Sequence, residues 1–248
     1  QHRFGVKQRL YLAEKGINTN ILLMSATPIP RTLALAQYGE IEQVILKEKP
    51  AFQKPIITKV SSIDKIKDIE ILLKKKISNV SQVYWICPLV EASETQKYKD
   101  VETRFKSLKN IFGSEVEMLH GKIKSDQKER IIQNFQKGNI KILVATTVVE
   151  VGIDNKNADY IVIENAEKFG LSQLHQLRGR VGRGNNQGYC FALYGKDLPD
   201  NTINRLKIFK ENLDGFKLSE KDLEIRGTGD ILGYRQSGDS LFKFVNVY

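Results

Sequence analysis

Four short runs in this chain are apolar at nearly every position: Val83–Pro88 (VYWICP), Ile142–Ala145, Tyr160–Ile163 and Tyr189–Tyr194. A strand with one face in water alternates apolar and polar residues, whereas a run without alternation has to bury both faces. The weaker runs Ile56–Val60 and Val116–His120 join them as strands. Between them lie segments with apolar residues at helical spacing: Ile63–Lys76, Thr95–Phe112 and Ser125–Gln136, the last with Ser125 as its expected N-cap. Strand and helix in alternation predict an α/β fold, a parallel sheet covered by helices on both faces. Ligands of such sheets sit beyond the carboxyl ends of the strands. Leu119-His120-Gly121, the stretch Thr146–Asp154 and the segment starting at Leu171 are all expected there.

The flanks read differently. Val6–Glu14 has helical spacing, Asn20–Met24 is a short strand running into Ser25-Ala26-Thr27-Pro28, and Pro30 opens a helix that stops at Gly39. Gln43–Leu46 reads as a further strand. The nine residues KEKPAFQKP after it hold prolines and lysines with little to bury, so a domain boundary is expected near Pro50–Pro55. From Asn201 on, Thr202–Leu213 reads as a helix, and residues 216–248 as a short helix and a shaped, glycine-rich loop. The expected division is therefore 1–50, 51–198 and 199–248. Because the first residue is Gln1, the chain is expected to be a piece of a longer one.

Composition narrows the function. The formal charge of +10 favours a polyanionic partner such as nucleic acid. Cys87 and Cys190 lie inside apolar runs, as buried thiols of a reducing compartment would. Two cysteines and three scattered histidines offer no metal cluster. No leader and no membrane-spanning run is evident, so the expected location is cytoplasmic.

The stretch Leu171–Arg183, LSQLHQLRGRVGR, carries the most chemistry. Treated as one helix at roughly 100° per residue, it gathers Leu171, Leu174, Leu177 and Val181 on one side and Gln176, Arg180 and Arg183 on the other. Gly179 and Gly182 each cost a helix about 1 kcal/mol against Ala, a cost easier to understand if something must approach the backbone closely. Two arginines three residues apart suit the oxygens of a phosphate chain; a solvated surface helix is the alternative.

Residues 176–183 match the Q-x-x-G-R-x-G-R pattern of motif VI of superfamily-2 helicases. Ser25–Pro28 resembles motif III, Leu119–Gly121 motif IVa, and Thr146-Thr147 through Asp154 motif V, in the order that family has them. Gln1–Gly5 resembles the end of a DEQH box. The tail Asp222–Gly238 is similar to the translocation motif of members that move along double-stranded DNA. The resemblance covers essentially the whole chain and implies two RecA-like domains with ATP and Mg2+ between them. Here it leaves a stub of the first, the second, and a helical hairpin with its loop. A phosphate-binding G-x-x-x-x-G-K-[ST] loop occurs nowhere in the sequence.

The resemblance also implies roles. Arg180 and Arg183 would stabilise charge on the transferring phosphoryl group, with Gln176 beside it. Gly152, Asp154 and His2 would border the nucleotide. Thr146 and Thr147 would bind DNA phosphates. Thr27, Arg205, Arg226 and Gln236 would couple hydrolysis to movement, Arg205 and Arg226 by holding two helices together. The implied activity is that of a monomeric, ATP-dependent translocase on branched double-stranded DNA (forks and Holliday junctions), in recombination and replication-fork repair. Two alternatives stay open: a motor of transcription-coupled repair that pulls on RNA polymerase, and a nucleic-acid-binding module without catalysis.

Overall fold

The computed structural model of the chain describes residues 53–77, 81–89, 98–146 and 155–226, together with 22, 24 and 44–46. Six strands, β1 (Ile57–Ser62), β2 (Gln82–Ile86), β3 (Val116–Leu119), β4 (Ile142–Ala145), β5 (Ala158–Ile163) and β6 (Tyr189–Tyr194), form one sheet. Its order is β1-β6-β5-β2-β4-β3, and every neighbouring pair is parallel. The helices are α1 (Ile66–Lys76), α2 (Lys99–Phe112), α3 (Ser125–Gln136), α4 (Leu171–Arg178), α5 (Asp200–Glu211) and α6 (Gly215–Arg226).

The unbroken apolar runs do bury both faces. Tyr84, Ile86, Leu143, Ile161, Ile163 and Ala192 point into a core closed by α3, α4, α5 and α6, with Phe135, Leu174, Leu177 and Phe209 packed against them. Val83, Trp85, Val144, Val162 and Leu193 point the other way, onto Leu73 of α1 and Val101 and Leu108 of α2. Cys87 and Cys190 are buried free thiols, one on each face. Burial pushes the Cys190 thiol up to about 12, and burial raises Cys87 too, with help from nearby Glu164.

Some local expectations change. Lys124, with no side-chain cap bond, precedes α3 in place of Ser125, which is the first helical residue. Val44, Ile45 and Leu46 are exposed and form no strand; among the described residues no strand lies beside them to complete a ladder. The expected elements at Val6–Glu14 and Pro30–Gly39 lie outside the described residues, as do three of the five residues of Asn20–Met24.

Candidate functional site at two edges of the sheet

At the carboxyl edge, β3 ends in His120-Gly121 and β4 in Thr146. The Thr146 N–H donates to Leu119 O (3.4 Å), which sets the two strand ends side by side. The Thr146 side chain is wholly buried, yet its Oγ1 has no hydrogen-bond partner. His120 is 9% exposed and its Nδ1 is likewise without a partner. Two orphaned polar atoms at neighbouring strand ends are costly unless a ligand completes them. The His120 ring packs on Tyr98 with centroids 4.7 Å apart, and the Lys122 ammonium stands 5.2 Å from the Tyr98 ring. A Cβ at position 121 would lie 2.9 Å from the Tyr98 hydroxyl, so a side chain there would push the tip of the tyrosine aside. Lys128 Nζ donates to Gly121 O (3.0 Å). Burial lowers the His120 pKa; Glu102 pulls it up, and Lys122 and Lys128 push it further down. The corner is therefore a neutral imidazole and a buried hydroxyl beside two ammonium groups, a set suited to phosphate.

The arginine stretch is not one helix. α4 stops at Arg178, and Gly179 caps it, donating to His175 O (3.0 Å). Gly182 has φ +66°, and a Cβ there would sit 3.2 Å from Gly188 Cα, so the close approach it serves is to the chain's own backbone. The expectation that Gln176, Arg180 and Arg183 share a helical face is thereby corrected: only Gln176, half-buried, is on the helix. Arg180 and Arg183 sit on the turn after it, partly buried, with Arg183 Nε donating to Gly179 O (2.9 Å).

The location of this turn also differs from expectation. The Gly182 N–H donates to Ala158 O (3.1 Å), and Ala158 begins β5. The helix starts at the carboxyl edge and, at 1.5 Å per residue, carries the chain back about 12 Å. The arginine turn therefore lies at the amino edge of the sheet, opposite the Thr146–His120 corner. A crossover helix in a parallel sheet has to return to the edge where the next strand begins, and the arginines follow the return.

The hairpin α5–α6 grips α4 at both ends. Arg178, 2% exposed, donates to Phe209 O and Asn212 O (2.8 Å each) at the end of α5, and stands 4.5 Å over the Phe209 ring. Asp222 Oδ1 of α6 accepts from the Leu171 N–H (3.3 Å) at the start of α4. Arg205 donates from Nη2 to Glu167 O in the β5–α4 loop. Arg226 is the last residue of α6. Arg178 and Asp222 were missed in the sequence, though at 100° per residue Arg178 falls between Leu171 and Leu174, inside the apolar stripe. His2, Thr27, Thr147, Gly152, Asp154 and Gln236 lie outside the described residues. Among the described residues no group of side chains could hold a metal ion, and no helix is long and apolar enough to cross a membrane.

Comparison with known proteins gives this layout its relatives. The chain is 45% identical over its full length to ATP-dependent DNA helicase RecG of Staphylococcus aureus, and 47% identical over 99% of its length to that of Borreliella burgdorferi. It spans 36% of the length of each. A solved structure of RecG bound to a three-way DNA junction matches 84% of this chain and 27% of that one, at 38% identity and a TM-score of 0.72. Saccharomyces cerevisiae Dbp5 bound to RNA and ADP BeF3 matches 79% of this chain and 51% of that one, at 18% identity and a TM-score of 0.53, a likeness of fold alone. The helicase conserved C-terminal domain matches residues 57–185, just over half of the sequence, from the first residue of β1 to just past the arginine turn. With that match, and a RecG-like sequence from end to end, the chain belongs to the helicase C-terminal domain family.

Proposed function

We propose that the chain is the second motor domain and translocation hairpin of a RecG-type, ATP-dependent translocase acting on branched double-stranded DNA in recombination and fork repair. The observation that carries this reading is the pair of sites on opposite edges of one sheet: unpartnered polar atoms at the carboxyl edge and an arginine turn at the amino edge. In it residues 1–50 are the end of the first motor domain, 51–198 the second, and 199–248 the hairpin and loop.

The described residues fit half of a nucleotide site. Arg180 and Arg183 furnish two guanidiniums on a turn whose shape Gly182 fixes, with Gln176 one helical turn before. When bound between the two motor domains, ATP with Mg2+ supplies the phosphoryl group whose hydrolysis drives movement. The arginines meet the charge that develops on its oxygens, fixed donors costing little reorganisation at the moment of reaction. His2, Gly152 and Asp154 line the rest of that cleft. Thr146, Thr147 and the His120 corner hold DNA phosphates, which fixes the strand without reading sequence. Arg205, Arg226, Thr27 and Gln236 pass the closure of the cleft to the DNA, and the Arg178 and Asp222 contacts make α4 and the hairpin move as one body. The enzyme works as a monomer in the cytoplasm.

The test is ATP turnover and fork unwinding by the complete protein, beside residues 1–248 alone. The complete protein should hydrolyse ATP faster with branched DNA and unwind a fork, and residues 1–248 should do neither. Robust turnover by residues 1–248 would show that the division of the ATP site is wrong.

A further inference from the structure

The two sites face away from each other, so something must tell the arginine turn that DNA has been engaged. A buried polar cluster outside both sites joins α2 to the β5–α4 loop at the carboxyl edge of the sheet. Glu164, the first residue after β5, accepts from Trp85 Nε1 (2.5 Å) and from Arg104 Nε (2.5 Å) and Nη2 (3.3 Å). Arg104 also donates from Nη1 to Glu70 of α1 (3.2 Å), and its guanidinium stands 5.5 Å from the centre of the Trp85 ring. Glu164 and Arg104 are both largely buried. A largely buried ion pair is weak evidence of stabilisation, since an apolar pair of similar volume would often hold as well.

Its attachments give it a direction. Arg104 belongs to α2, and α2 begins immediately after Tyr98, the residue packed on His120 at the DNA corner. Glu164 opens the β5–α4 loop, and the next residue, Asn165, takes the left-handed conformation at φ +46°, which asparagine adopts more readily than other non-glycine residues. Five residues further, Gly170 starts α4, the helix that runs to the arginine turn. Along these contacts a shift of Tyr98 on DNA binding would move α2, draw Glu164 through Arg104, and reach α4 through the loop.

We infer that the Arg104–Glu164 ion pair is the link through which DNA at the carboxyl edge positions the arginine turn for hydrolysis. Both are positioning residues that act through other groups, and the inference rests on the function proposed above. It is tested by Glu164→Gln, Arg104→Gln and the double variant in the complete protein. ATP turnover is measured across a titration of fork DNA, with thermal unfolding on the same preparations. Each single variant should lower the plateau of DNA-stimulated turnover by about tenfold, leave DNA-free turnover and the half-saturating DNA concentration within about twofold, and the double variant should fall no further. Additive losses in the double variant, or a fall in DNA-free turnover matching that of the plateau, would overturn the link. An unfolding temperature lowered equally in the single and double variants, with normal stimulation in the folded fraction, would overturn it too. Absence of DNA stimulation in the unaltered protein would instead refute the proposed function itself, and the link with it.

Discussion

Arg178→Met tests whether the hairpin is fastened to α4 by a buried charge. The side chain makes two hydrogen bonds to the carbonyls of Phe209 and Asn212, each 2.8 Å, and lies over the Phe209 ring. Bonds from a charged donor contribute about 1.5–3 kcal/mol each, so their loss costs about 3–6 kcal/mol. Against this, methionine fills most of the volume and removes a cation that burial disfavours, since the Arg178 pKa is lowered by desolvation. Relief of that penalty offsets part of the loss and leaves a net destabilisation of about 2–4 kcal/mol. At about 2–4 °C per kcal/mol for a domain of this size, the melting temperature should drop by roughly 10 °C. Lysine should rescue only partly, because one ammonium cannot reproduce a planar fork that spans two carbonyls. Urea unfolding followed by circular dichroism measures the total, and hydrogen exchange locates it: protection should fall first in α5 and α6. A loss below about 1 kcal/mol, or exchange that rises evenly over the sheet, would refute the fastening.

Three further outcomes are expected. Arg180→Ala or Arg183→Ala in the complete protein should cut kcat by roughly a thousandfold with little change in nucleotide binding; weakened binding with normal turnover at saturation would remove the arginines from the reaction. Gln236→Ala should leave DNA-stimulated ATP turnover intact and abolish fork unwinding; a proportional fall in both would place Gln236 in the ATP site or the fold. His120 is neutral in the folded protein to a lower pH than in the unfolded chain, because burial depresses its pKa below 6.5. The unfolded state therefore takes up more protons as pH falls below 6.5, and stability declines in that range. Unfolding midpoints measured from pH 7.5 downward should show that decline, and His120→Asn should flatten it.

The sheet was readable because burial on both faces leaves its mark at every position of a strand, as in Val83–Cys87 and Tyr160–Ile163, and because their length and β-branched and aromatic content favour strand over helix. Strand order was not read, since it depends on which crossover passes over which neighbour. In the arginine stretch, composition was read correctly and geometry was not. A helical wheel assumes that the helix continues, and α4 stops at Arg178, before either arginine of the turn. Placing the arginines at the carboxyl edge failed for a related reason: a crossover helix undoes the direction of the strand before it. The Glu164–Arg104 pair left no local trace, its members being sixty residues apart with no periodic signal linking them.

The sheet order has a consequence for how this domain comes to exist. Among the described strands, β1 comes first in the sequence and pairs only with β6, which comes last, Ile57 lying against Tyr189. On the ribosome β1 thus waits without a ladder partner while every other strand is synthesised. Its docking closes the longest loop in the domain, the kind of step that makes folding slow. A chain cut before Tyr189 would lose two strands for the price of one, leaving β5 as a raw edge open to pairing with a second molecule. The tie between β1 and β6 makes the domain an all-or-nothing product, available for work only after its last strand has emerged.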